Sequence, residues 1–270
     1  MSEGLRKRIV TAVILAAGLF IVALWLPARW TAGVLTILML AGAWEWSALL
    51  RLRTRSLRAV YLAFLAAMMP VVWHVTATPE GRDIVLVTAV VWWIVALGWI
   101  AFAPQFVAPW SAALAGALAL LPAWIALLRL RLDLPRGAEW MLFTLILVFA
   151  ADIGAFFAGR RFGRLRLAPL VSPGKTWEGV LGGALAGALV AVVGSGWFGV
   201  PLPTFLPLCL AAVGFSIVGD LTESLLKRFA GVKDSGTLFP GHGGVMDRID
   251  SVTGAAPVLL LGLTVLGVAA

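Results

Sequence analysis

The sequence predicts an all-α, polytopic transmembrane helical bundle of about nine spans, with its N-terminus inside and its C-terminus outside. Three observations carry this. First, 61% of the 270 residues are hydrophobic and only 13% are charged, with mean hydropathy +1.01. Soluble domains carry roughly a quarter charged residues, and a chain of this size has too much surface to hide so much apolar area from water. Second, apolar runs recur at the length of about 20 residues that a helix needs to cross the hydrocarbon core. Third, with the N-terminus placed inside, 16 of the 21 lysines and arginines fall in segments on that side, the bias that orients membrane helices.

The spans follow in order. Residues 9–28 come after the basic stretch Met1–Arg8 and form too long an apolar run for a cleaved signal peptide, so they read as a first helix. Further spans fall at 31–50, 59–78, 84–103, 107–127, 140–158, 179–199, 203–220 and 251–269. The fourth and fifth are separated by little more than Pro104 and Pro109. Arg29, Arg82, Arg129, Arg131 and Arg136 are the outer basic residues. Lipid leaves no unsatisfied backbone at membrane depth, so the spans are read as helices throughout. No internal repeat or low-complexity linker divides the chain, and an odd span count argues against two equal halves. The expectation is one membrane domain over 1–270, with apolar helices over 9–150 and the functional helices and cytoplasmic loops over 151–270.

Several features take structural readings. Trp30, Trp73, Trp140 and Trp197 lie near span ends and read as an interfacial belt. Cys209, the one cysteine, sits in an apolar run as a small buried side chain, and no disulfide framework exists. The net charge of +8 flanks apolar runs rather than forming a stripe, which suits anionic headgroups and not nucleic acid.

The remaining polar residues are concentrated. Three of four lysines, Lys175, Lys227 and Lys233, and seven of thirteen acidic residues fall in the C-terminal part, on one side of the membrane. Ionisable groups beside spans are costly and therefore point to function. If the eighth helix continues past Asp220, then Asp220, Glu223, Ser224 and Lys227 share one face. Asp247, Asp250 and Ser251 repeat that spacing at the start of the ninth. Between them Pro240-Gly241-His242-Gly243-Gly244 forms a turn whose glycines permit positive φ and close backbone approach. Two carboxylate-bearing helix ends joined by a Lys- and Gly-containing loop suit a Mg²⁺–phosphate site. The plain structural alternative is a salt-bridged loop with capped helices.

A second cluster is Ser172-Pro173-Gly174-Lys175-Thr176-Trp177-Glu178-Gly179. It is not a P-loop, because position 169 is Pro169 and no strand is predicted before it. Ser172 before Pro173 reads as a helix N-cap with proline at the first helical position. Free N–H groups there, with Lys175 nearby, would bind a substrate phosphate; a capped helix with a snorkelling lysine is the bland alternative. Asp152, within the sixth span, is expected to face the bundle interior, pairing with arginine or lining the site. Isolated Glu45 reads as a buried hydrogen-bonding group, and His74 has no assigned role.

The run from Ser224-Leu-Leu-Lys227-Arg228 through Lys233-Asp234 to Pro240-Gly-His242-Gly243-Gly244-Val-Met-Asp247-Arg248-Ile-Asp250 resembles the phosphatidate cytidylyltransferases, or CDP-diacylglycerol synthases. The Ser172–Gly179 stretch and Asp152-Ile-Gly-Ala-Phe-Phe-Ala-Gly are similar to the family as well. The likeness is specific over roughly 150–251 and only hydropathic before it. Phe156 stands where a tyrosine is expected, so a hydroxyl contact is missing there.

The resemblance implies cytidylyl transfer from CTP to phosphatidate, with Mg²⁺ as cofactor. It leaves open a second, monovalent cation and pairing as a homodimer. Asp220 and Asp247, with Asp250 as a third, would hold metal. Lys227, Arg228, Lys233 and Arg248 would contact phosphates beside Asp234, while His242, Gly243 and Gly244 would line the nucleotide pocket. Ser172, Lys175, Thr176, Glu178, Ser224 and Asp152 would contact substrate. The expected location is a bacterial inner membrane, with the site on the cytoplasmic side. Two rivals are a related CTP-using enzyme with another lipid acceptor, and a cation transporter relaying through Asp152 and Asp220, which leaves the Gly/Lys loop unexplained.

Overall fold

The computed structural model describes residues 18, 20–238 and 243–268. Among them are eight helices long and apolar enough to span a membrane. They are α1 (Ala28–Leu49), α2 (Arg55–Val75), α3 (Pro79–Phe102), α4 (Pro109–Leu132), α5 (Gly137–Phe162), α6 (Trp177–Phe198), α7 (Leu202–Ala230) and α8 (Met246–Val265). They correspond one for one to the second to ninth expected spans. Half of the first expected span, with the stretch Met1–Arg8, lies outside the described residues.

Two local readings are corrected, while the all-α bundle stands. The first is the helix start at Ser172 with no strand before it: β1 (Arg166–Ala168) and β2 (Ser172–Thr176) pair antiparallel in a small hairpin between α5 and α6. Pro173 is tolerated there because a two-stranded hairpin has only edge strands, where a missing N–H breaks no central ladder. Ser172 is therefore not a helix cap. Thr176 is, its hydroxyl accepting the Gly179 N–H at 3.2 Å. A helix begun at Ser172 would have placed Gly174 in its interior, where glycine loses roughly 0.5–1 kcal/mol against alanine. The second correction is Trp140, which is buried and stacks on Phe198 with centroids 3.6 Å apart. Trp30 and Trp197 are exposed as a belt requires, and Cys209 is buried as expected.

The site is positioned by close helix approaches. Helices α4 and α8 are buried over most of their length and form the centre of the bundle. Against α8, α7 packs through glycines: a Cβ on Gly219 would lie 2.5 Å from the Asp250 carbonyl oxygen. That approach sets Asp220 and Glu223 of α7 beside the first turns of α8. Helices α5 and α6 meet in the same way, since a Cβ on Gly154 would lie 2.6 Å from the Gly182 carbonyl oxygen and 2.7 Å from Ala186 Cβ. Small residues allow such backbone contact between membrane helices. Helix α7 has 29 residues, about 43 Å at 1.5 Å per residue, which exceeds the ~30 Å hydrocarbon core. Its last turns can thus leave the apolar layer carrying charge.

Candidate active site

A cavity of about 580 Å³ opens among α5, the hairpin, α6, α7 and α8. Its wall brings together residues nearly a hundred positions apart: Asp152, Lys175, Asp220, Asp247, Asp250 and Ser251. The hairpin swings Lys175 over the cavity, where its ammonium lies 2.5 Å from Asp220 Oδ2. Both side chains stay about a quarter exposed, 26% and 27%, so this pair is open to a ligand.

The continuation of α7 past Asp220 holds, and its face is the expected one. Lys227 donates to Glu223 Oε2 at 2.7 Å and to Asp247 Oδ1 at 2.8 Å. Ser224 lies 3.4 Å from Asp220 Oδ1. The second oxygen of Asp247 accepts the Ser235 N–H at 3.0 Å, the Ser235 hydroxyl at 2.9 Å and the Gly244 N–H at 2.8 Å. Asp247 is thus held by a cation on one oxygen and by neutral donors on the other. Glu223 is 0% exposed, and its Oε1 has no partner among the described residues. Asp250, also buried, accepts the Ser251 N–H at 2.7 Å. The Ser251 hydroxyl sits 3.5 Å from Asp152 Oδ1, which places Asp152 in the cavity wall rather than in an arginine pair.

The other expected residues divide. Thr176 lines the cavity while capping α6. Glu178 instead accepts the Leu165 N–H at 3.2 Å and secures the hairpin's entry. Ser172 lies in β2, outside the cavity lining. Arg228 donates to the Val171 carbonyl at 3.3 Å, tying α7 to the hairpin. Lys233, Asp234 and Arg248 are solvent-exposed and do not line the cavity. Gly243 has φ +79°, which favours glycine, but the Gly244 N–H is committed to Asp247 rather than free for a ligand. His242 lies outside the described residues.

Sequence reasoning missed Ser235, Ser216, Arg160 and Arg166. The last three line the cavity, and Ser235 braces Asp247. The arginines were visible only as orientation charges, and nothing in the spacing singled out either serine. Glu45 does make the buried hydrogen bonds expected of it, but with loop residues about 200 positions away.

Chemically, the cavity offers the carboxylates of Asp152, Asp220, Asp247 and Asp250 beside the Lys175 ammonium and the Arg160 and Arg166 guanidinium groups, an environment for a metal-bearing polyanion. Among the described residues no three acidic, His or Cys side chains converge into a ready-made metal site. The donor set nevertheless fits Mg²⁺, which keeps several waters and takes one or two carboxylates plus substrate phosphates. Asp220 and Asp250 in the cavity wall supply that oxygen-only chemistry.

The chain is similar to known proteins over nearly its whole length. A model of the cytidylyltransferase family matches residues 6–266. A phosphatidate cytidylyltransferase of Pseudomonas aeruginosa is 41% identical, covering 94% of this chain and 95% of its own. Those of Haemophilus influenzae and Brucella suis are 37% and 38% identical. They cover 94% and 96% of this chain, and 96% and 93% of their own lengths. Matched over nearly all its length, the chain belongs to the cytidylyltransferase family.

Proposed function

We propose that this protein is a phosphatidate cytidylyltransferase of phospholipid biosynthesis, converting CTP and phosphatidate into CDP-diacylglycerol and pyrophosphate. One structural observation carries the reading: Asp152 and Lys175 from one polar stretch, and Asp220, Asp247, Asp250 and Ser251 from another far along the chain, line a single cavity among helices long and apolar enough to span a membrane. A phosphatidate phosphate oxygen attacks the α-phosphorus of CTP. The new P–O bond forms as the bond to the bridging oxygen of the β-phosphate breaks, and pyrophosphate leaves with that electron pair. The attacking oxygen is already anionic, so no strong base is needed. The barrier lies in joining two polyanions and holding them in line.

Lys175 and Lys227 have defined parts. Lys175, partly exposed in its pair with Asp220, can exchange that carboxylate for a substrate phosphate. Lys227 is clamped between Glu223 and Asp247 and keeps their negative charge compatible with an incoming nucleotide. Arg160 and Arg166 line the same cavity and are placed to neutralise charge on the leaving pyrophosphate. Asp220 and Asp250, with Asp247 as a further carboxylate of the same wall, would supply the one or two ligands that hold Mg²⁺, which when bound would screen the phosphates and polarise their oxygens. The acyl chains remain in the bilayer while the headgroup reaches the cavity. The distribution of basic loops supports a bacterial inner membrane location with the cavity on the cytoplasmic side.

The test is purified protein incubated with phosphatidate, Mg²⁺ and CTP labelled in the cytosine ring. Label should enter the lipid phase with wild type and fall by at least about 100-fold in Asp247→Asn, the scale of losing a group that stabilises transition-state charge. With CTP labelled instead at the γ-phosphate, transfer of label to polyprenol, and none of the ring label to phosphatidate, would overturn the assignment of acceptor. Ion flux without nucleotide turnover would overturn the enzyme reading altogether.

A further inference from the structure

Glu45 lies on α1, in the N-terminal part of the chain, and the transfer chemistry above does not use it. Its side chain is buried, with 9% of the residue exposed. Oε2 accepts the Ser235 hydroxyl at 3.1 Å and the Met246 N–H at 2.8 Å. Gly236 and Gly244 close over it: a Cβ on Gly236 would stand 2.6 Å from the Glu45 carboxyl carbon, and one on Gly244 would stand 2.5 Å from it. Ser235 and Gly236 on one side and Gly244 to Met246 on the other are therefore moulded around this carboxylate.

Two further features give the contact a purpose. Helix α8 starts at Met246 without a local cap, because Val245 offers no side-chain acceptor. Its orphan first N–H is satisfied by Glu45, so α1 caps α8 from across the bundle. In addition, the Ser235 hydroxyl touches both Glu45 at 3.1 Å and Asp247 at 2.9 Å. A hydroxyl has one proton and can donate to only one of them at a time. Either carboxylate keeps other donors when it loses that proton: Glu45 the Met246 N–H, Asp247 the Ser235 and Gly244 N–H groups and Lys227. Ser235 can turn toward Glu45 while Asp247 engages a ligand, and no buried charge is left bare.

We propose that Glu45 is a positioning residue of the transfer site, which holds Ser235 and the start of α8 so that Asp247 is aimed at the cavity. The inference rests on the cytidylyl-transfer reading for its kinetic consequence, but not for its structural one. The experiment therefore pairs kinetics with hydrogen–deuterium exchange on the full-length protein in detergent, using Glu45→Ala, Glu45→Gln, Ser235→Ala and the Glu45→Ala/Ser235→Ala double variant.

Glu45→Ala should lower kcat by about 10- to 100-fold, the usual cost of removing a group that orients a ligand-binding side chain. KM for phosphatidate should stay within about twofold, because the hairpin side of the site is untouched. Glu45→Gln, whose amide oxygen can accept the same two donors, should keep most of the activity. The double variant should be no worse than the worse single one, as for residues acting through one network. Deuterium uptake should rise over 231–246 and not over 163–176 in Glu45→Ala. A kcat within about threefold of wild type in Glu45→Ala would overturn the proposal, as would faster exchange throughout the protein with no rescue by glutamine. If wild type makes no CDP-diacylglycerol, the transfer reading alone fails; the exchange pattern still decides whether Glu45 holds the loop.

Discussion

Lys227 offers a direct measure of how the buried charge in this site is balanced. Its ammonium is 13% exposed and bonds two carboxylates, Glu223 at 0% and Asp247 at 8%. Replacement by methionine keeps the length and apolar stem but leaves both acids without their cation. Breaking a buried pair by removing one partner costs about 3–5 kcal/mol, because the other charge remains desolvated. For a chain of this size each kcal/mol shifts the melting midpoint by roughly 2–4 °C, so Lys227→Met should melt on the order of 10 °C lower. The assay is thermal unfolding in detergent, followed by fluorescence of the tryptophans. The companion is the double variant Lys227→Met/Glu223→Gln, in which the fully buried negative charge is removed with its partner. If the cost arises from stranded charge, the double variant should recover at least about 1.5 kcal/mol relative to additivity, within the range seen for directly paired groups. A midpoint drop of less than about 2 °C in Lys227→Met, or strict additivity in the double variant, would refute this account of the network.

Two further outcomes separate chemistry from packing. Lys175→Gln should remove activity by about 100-fold, as expected for a charge-stabilising group, yet shift stability by no more than about 1 kcal/mol, because its pair with Asp220 is partly solvated. Equal losses in both measurements would refute that division. Gly154→Val should destabilise by about 1–3 kcal/mol through overpacking against Gly182 and Ala186, whereas Gly98→Ala, with nothing within 4 Å of the new Cβ, should be neutral or slightly stabilising; matched melting midpoints for the two variants would show that the α5–α6 approach is not tight.

The bilayer explains why so much of the architecture was legible in the chain. Span length and hydropathy are one-dimensional properties, and lipid forces any apolar run of sufficient length into a helix. The eight described spans accordingly fall where apolar runs predict them. The face formed by Asp220, Glu223, Ser224 and Lys227 was legible for a related reason: helical spacing places those residues together before any tertiary contact forms. The motif resemblance drew on Ser224 and Lys227 of this face.

Tertiary structure decided the rest. The cap of α6 is at Thr176 and not at Ser172 because strand pairing between 166–168 and 172–176 competes with helix initiation, and local propensity does not contain the partner strand. Glu45 looked isolated because its partners, Ser235 and Met246, come about 200 residues later. Gly244 is a glycine next to Glu45 for clearance, which only the packed loop reveals. What the sequence determined by itself was a helical membrane protein with its charge gathered at one side and two motif segments of defined helical spacing. Which oxygen faces which donor, and that both segments wall one cavity, required the fold, because hydrogen bonds across the bundle depend on distances that chain order does not encode.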